Sequence, residues 1–243
     1  MTIRGLIRKA LEKILRAKIY RATPRGVDQI ADVKRSFPTY DPSVVFDVGA
    51  NIGQSTDEYL LQFPNARVFC FEPSRSTYEK LTDHFSGSSR VQCLNLALAD
   101  KPGTALLEKT KASVNRRLVN ESQNGPPSGE TEKVSIGTVD EICAKNDIQT
   151  IDYLKIDTEG HELSVLAGSA QMLDAENIKM VELELGMNPE NTRHTPFEDG
   201  KRILEKNGFR LLTISEQVHE FRTRQPHLRR VNAVFVSRAM ITS

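Results

Sequence analysis

Val45-Phe46-Asp47-Val48-Gly49-Ala50-Asn51-Ile52-Gly53 runs from a short apolar stretch into two glycines and then into the helical pattern of residues 54–62. Gly49 and Gly53 permit backbone conformations and close approaches that a Cβ would block, so a ligand can lie against the main chain at the C-terminal edge of a sheet. The amide groups opening the next helix favour a carboxylate or phosphate. A dinucleotide fingerprint would read G-x-G-x-x-G, but Asn51 stands where its second glycine belongs, so a nicotinamide or flavin dinucleotide is disfavoured. Asp47, at the end of the strand, would repel a pyrophosphate and suits the ammonium of an amino-acid-like ligand.

Outward from this turn, short apolar segments alternate with helical ones, the pattern of a parallel sheet with crossover helices. Strands are predicted at 44–48, 67–71, 91–94, 151–156 and 179–185, and helices at 54–62, 74–85, 161–174 and near 197–207. A final pair, 209–214 and 231–236, is joined by sixteen residues without a helical pattern and can pair antiparallel. Together these predict one doubly wound α/β domain over 41–240, preceded by a helical extension over 1–40. The polar, Gly- and Pro-containing stretch at about 109–131 reads as a loop that covers substrate.

Nineteen residues after Gly53, Glu72 and Pro73 end the second strand. An acid at this distance accepts hydrogen bonds from ribose hydroxyls in doubly wound nucleotide-binding folds. A second acidic group, Asp157, Glu159, His161 and Glu162 beside Lys155, lies where the strand at 151–156 leaves the sheet. His161 and Asp157, then Glu159, are the candidates for removing a proton from an acceptor. Helix capping and ion pairing are the alternative roles for these residues. Asp157, Glu159, His161, Glu182 and Glu184 also offer donors to a divalent cation, but no ligand spacing among them demands a metal.

The turn at 47–53, Phe71-Glu72-Pro73, the segment Asn95–Asp100, and Leu154-Lys155-Ile156-Asp157-Thr158-Glu159-Gly160-His161-Glu162 together resemble the FkbM family of class I S-adenosylmethionine-dependent methyltransferases. The resemblance is clearest over 44–185. It implies a Rossmann-like, mostly parallel seven-stranded sheet whose last strand is antiparallel. It also implies S-adenosylmethionine held by Asp47, Gly49, Ala50, Asn51, Gly53, Glu72, Pro73, Ala97 and Asp157. The substrate class it implies is hydroxyl groups of sugars, glycoconjugates and other small natural products. A nitrogen or protein methyltransferase on the same fold is the first alternative, weakened because no Asn-Pro-Pro-Tyr type of signature follows Ile156. The second is a binding protein with a vestigial pocket.

The 243 residues carry a net charge of +1, so no chain-wide field attracts nucleic acid, and none is expected as partner. Residues 2–21 are the exception. Their apolar side chains recur at helical spacing, and seven basic residues against Glu12 give +6, leaving −5 for the rest. Docking on the main domain is one reading of this helix, and contact with an anionic membrane surface or an acidic partner is the other. Three widely spaced cysteines fit neither a disulfide framework nor paired zinc ligands. With no membrane-spanning run and no secretory h-region, a cytoplasmic protein is expected, peripheral at the inner membrane surface if the basic helix binds lipid.

Overall fold

The computed structural model describes residues 7, 11–16, 18, 20, 22–108, 117–119, 130–220 and 225–242. Strands β1 (Val44–Val48), β2 (Arg67–Phe71), β3 (Val91–Leu94), β8 (Ile151–Ile156), β9 (Ile178–Gly186), β10 (Phe209–His219) and β11 (Leu228–Ser237) form one sheet in the order β10-β11-β9-β8-β1-β2-β3. All neighbours pair parallel except β11, which is antiparallel to both β9 and β10. Every residue of β8 is buried, as a central strand covered on both faces requires. Between β1 and β8 the chain reverses its direction of progress through the sheet, which is where such folds bind ligands.

Helices on both faces complete the doubly wound arrangement. On one face α1 (Gln29–Ser36) and α2 (Gln54–Gln62) cover Val45, Tyr153, Met180 and Val234. On the other, α4 (Val139–Lys145), α5 (Glu162–Ala167), α6 (Ala170–Asp174) and α7 (Phe197–Lys206) cover Phe46, Leu154, Val181 and Phe235. Helices α3 (Arg75–His84), after β2, and α8 (Arg238–Thr242), at the end of the described chain, complete the set.

Several predicted boundaries shift for identifiable reasons. The helix expected over 161–174 breaks at Gly168-Ser169. A Cβ at Gly168 would lie 2.0 Å from the Ala99 carbonyl oxygen, and the Ser169 hydroxyl turns back onto the carbonyls of Val165 and Leu166, competing with the helical ladder. Strands β10 and β11 run longer than predicted, with register shifts around Glu216 that let the ladder continue. A second sheet was not predicted. In it β4 (Ala97–Leu98), β5 (Gly103–Glu108), β6 (Arg117–Val119) and β7 (Thr131–Gly137) stand in the order β4-β7-β5-β6. Part of the expected covering loop is thus strand β6, while 109–116 and 120–129, with the lid reading, lie outside the described residues. Helix α4 opens on a capping box, Thr138 with Glu141, that the sequence displays as T-x-x-E.

The boundary expected at residue 40 does not separate the extension from the core. Ile30 and Val33 of α1 are fully buried, Asp28 caps that helix through the Ala31 amide, and Asp32 accepts hydrogen bonds from Gly26 and Thr213. Of the basic segment, residues 11–15 are helical. Ile7 is also helical, Arg16 forms a turn, and Lys18 and Tyr20 are outside regular structure; the other residues of that expected helix lie outside the described residues.

Candidate functional site

A cavity of about 470 Å³ opens over the C-terminal ends of β1, β2, β8 and β9, within the roughly 300–1,000 Å³ typical of small-molecule sites. Gly49, Ala50, Asn51, Glu72, Pro73, Leu96, Ala97 and Leu98 line one end. Glu159, Glu184, Arg193, His194, Glu216, Arg229 and Arg230 line the other, and Lys155 and Asp157 also contribute to the wall.

The first end is built by backbone. The Gly49 and Ala50 amides both donate to the Phe71 carbonyl, at 3.0 and 3.1 Å, tying the turn after β1 to the end of β2. Glu72 is 8% exposed. Its carboxylate accepts from the Asn51 amide at 3.2 Å and the Ser74 amide at 2.9 Å. Asn95 braces the same corner, donating to the carbonyls of Glu72 and Pro73. Amides from both loops thus fix the orientation of the carboxylate.

Both glycines are required by the protein's own packing, and of the two Gly49 also lies on the cavity wall. A Cβ on Gly49, at φ +84°, would sit 1.9 Å from the Asp157 carbonyl oxygen, so β1 and β8 could not converge at the switch point. Gly53, at φ +98°, faces the Phe85 ring at 2.4 Å from its virtual Cβ and is absent from the cavity wall. The expectation that Gly53 lines a ligand is corrected accordingly.

Asp47 is corrected as well. It is fully buried, accepting from Thr56 Oγ1 at 2.8 Å and from Lys155 Nζ at 3.2 Å, and it does not line the cavity. The ammonium expected beside Asp47 is therefore the protein's own. Lys155 also reaches Asp157, at 3.4 Å. Burial alone would lower the Lys155 pKa, but Asp47, Asp157 and Glu182 outweigh it and hold the ammonium charged. Asp157 is the acid of this group that faces the cavity.

The second end gathers side chains from distant segments. Glu159 adopts φ +55°, an uncommon conformation for a residue with a side chain, and pairs with Arg193 at 2.8 Å. Burial pushes the Glu159 pKa up while Arg193 opposes the shift. Glu162 organises this loop from below. It accepts from the Thr158 and Gly160 amides, the Thr158 hydroxyl and, at 2.6 Å, the Thr195 hydroxyl. Gly160 lets the Arg193 carbonyl pass where a Cβ would stand 2.4 Å away. His161, expected as a base, instead occupies the N-cap position of α5 and is not on the cavity wall.

A different histidine lies there. His194 Nε2 is 2.9 Å from Glu184, and its Nδ1 meets Asn191. Arg230 pairs with the other oxygen of Glu184. Glu159, Glu184 and His194 bring one donor atom each within 4.8 Å of one another and could ligate a cation. Both carboxylates already have an arginine as counterion, so their charge is balanced without one. Of the donors weighed from sequence, Glu182 lies below the cavity, bonded to Tyr153 at 2.7 Å and to Gln29 at 2.8 Å. Arg193 and His194 escaped sequence reading because they sit in an unpatterned loop. Their place between a strand's C-terminal end and the next helix was the one available signal.

The sequence is similar to those of three methyltransferases. The chain is 29% identical over 155 residues to the hexuronic acid methyltransferase AglP of Haloferax volcanii, covering 62% of this chain and 60% of that protein. It is 24% identical over 150 residues to the 2-O-methyltransferase NoeI of Sinorhizobium fredii, covering 55% and 59%. It is 27% identical over 206 residues to Methyltransferase 1 of Beauveria bassiana, covering 75% and 77%. The chain thus spans about three fifths of the length of the first two. The methyltransferase FkbM domain matches residues 47–211, more than half of the sequence, and the chain belongs to that family.

Proposed function

We propose that the protein transfers the methyl group of S-adenosylmethionine to a hydroxyl oxygen of a sugar or glycoconjugate, and that the acceptor bears an acidic group. The observation that carries this reading is the Glu72 carboxylate, oriented by the Asn51 and Ser74 amides on the wall of a cavity at the switch point of the sheet, where doubly wound folds bind a ribose. Family membership supports the cofactor, and the names of the AglP and NoeI relatives support a sugar acceptor.

The residues fit the cofactor as follows. Gly49, Ala50 and Asn51 follow its amino-acid end, with Asp157 rather than Asp47 as the acid near its ammonium. Glu72 holds the ribose and Ala97 borders the adenine. When bound, S-adenosylmethionine supplies an electrophilic methyl on a sulfonium. The acceptor oxygen bonds to that carbon as the carbon–sulfur bond breaks, with its electron pair going to sulfur, so the chain must align the oxygen and take up its proton. Glu159 is our candidate for the proton, because it lines the acceptor end and burial pushes its pKa up. Arg229 lines the same end, and its guanidinium has no partner among the described residues, whereas Arg193 and Arg230 are paired with acids. It is the natural counterion for a uronic acid carboxylate.

The test is transfer of labelled methyl from S-adenosylmethionine to p-nitrophenyl β-glucuronide and p-nitrophenyl β-glucoside. Label in a base-stable ether, with the glucuronide preferred, is the expected result. Label in a base-labile ester or in neither glycoside contradicts the reading.

A further inference from the structure

The exposed apolar stripe of the N-terminal segment is unused by everything above. Ile7, Leu11, Ile14 and Leu15 are spaced i, i+4, i+7 and i+8, one face of a helix. In the structure they remain 55%, 43%, 75% and 62% exposed. The reading in which this helix docks on the main domain would bury them, and they are not buried. On the opposite side Lys13 and Arg16 are also exposed. A monomeric soluble protein rarely leaves a contiguous row of large aliphatic side chains in water without a use for it.

We propose that Ile7, Leu11, Ile14 and Leu15 dock on the surface of an anionic lipid bilayer, the apolar stripe in the headgroup–acyl boundary and Lys13 and Arg16 against lipid phosphates. Charge selects this occupant. The segment 2–21 carries +6 while the rest of the chain carries −5, so an anionic surface attracts the segment and repels the body behind it. A second copy pairing helix against helix would meet the same +6, which like-charge repulsion disfavours. No helix among the described residues is long and apolar enough to cross a membrane, so the contact is interfacial. The segment also leaves the domain at a defined place. A Cβ on Gly26 would lie 2.8 Å from the Ile214 carbonyl oxygen, and Ser215 bonds to Gln29 at 2.5 Å. This anchor is next to Glu216 on the cavity wall.

The experiment is flotation of the full chain with vesicles of phosphatidylcholine, with and without phosphatidylglycerol. Wild type should float with the phosphatidylglycerol vesicles at low salt, stay behind with phosphatidylcholine alone, and lose binding as salt is raised. Leu11→Glu with Ile14→Glu should abolish flotation while leaving the thermal midpoint and S-adenosylhomocysteine binding unchanged. Arg16→Gln should weaken binding roughly fivefold. Failure of wild type to float with anionic vesicles overturns the proposal. So does equal flotation of the double variant, or a dimer in sedimentation velocity that the same two substitutions dissolve. None of these outcomes depends on methyl transfer, so the docking reading and the enzymatic one fail separately.

Discussion

The two ends of the cavity are made in opposite ways. The end at β1 and β2 is a backbone structure. Two short loops close on each other through the Phe71 carbonyl, and one buried acid is oriented by amides from both. The end at β8 and β9 is a side-chain structure in which Glu159, Glu184, Arg193, His194 and Arg230 neutralise one another across segments that are far apart in sequence. A backbone cradle tolerates little substitution, because its shape depends on main-chain contacts such as those of Gly49. A charged side-chain wall can be rewritten residue by residue, and on the proposed function that is where acceptor choice would be set.

This contrast breaks most visibly at Gly49. Gly49→Ala should destabilise by about 4 kcal/mol or more, because the Asp157 backbone cannot withdraw without parting β8 from β1. Gly208→Ala is the control. It has a similar φ of +83° but nothing within 4 Å of the virtual Cβ, so the left-handed conformation alone should cost about 1–2 kcal/mol. Chemical denaturation of the two variants separates clash from conformation, and equal losses would refute the packing role assigned to Gly49.

A second prediction concerns the layer beneath the side-chain end. Glu182 is pushed up to about 7 by burial, against the opposing pull of its Tyr153 hydrogen bond and of Lys155. A carboxyl whose folded pKa is raised favours folding fully below its unfolded pKa, and that contribution is lost as pH rises through about 7. Relative to wild type, Glu182→Gln should therefore gain up to about 3 kcal/mol in going from about pH 5 to about pH 8. A pH-independent difference would mean that Glu182 is ionised throughout.

The smallest effect belongs to the wall itself. Arg229→Gln should raise KM for p-nitrophenyl β-glucuronide about tenfold and leave the neutral glucoside unaffected, because a part-exposed ion pair is screened by solvent. Equal losses on both acceptors would make Arg229 a general contact and remove the acidic group from the proposed substrate.

The same contrast explains what could be read from sequence. The sheet and the cradle arise from local patterns: apolar runs of strand length, a glycine turn, and an acid at fixed distance. Strands β1 and β2 and the Glu72 corner were legible for that reason. Asp47 was misassigned because its partner, Lys155, comes from a strand more than a hundred residues away, and only tertiary pairing reveals that its charge is already matched. His161 was singled out and His194 went unread for a related reason. It stands within a recognisable motif, whereas His194 acquires its role from Glu184 and Asn191 once β9 and its loop are in place. The second sheet was missed because β5 and β7 pair across a long polar connection that broke the alternation used to find the others.

The most direct measurement is calorimetric titration of S-adenosylhomocysteine into wild type and into Glu72→Ala protein of unchanged thermal midpoint. Hydrogen bonds to a charged acceptor contribute about 1.5–3 kcal/mol, so Kd should rise roughly 10-fold to 150-fold in the variant. Tight binding that the substitution leaves unaltered would contradict the assignment of this end of the cavity to the cofactor.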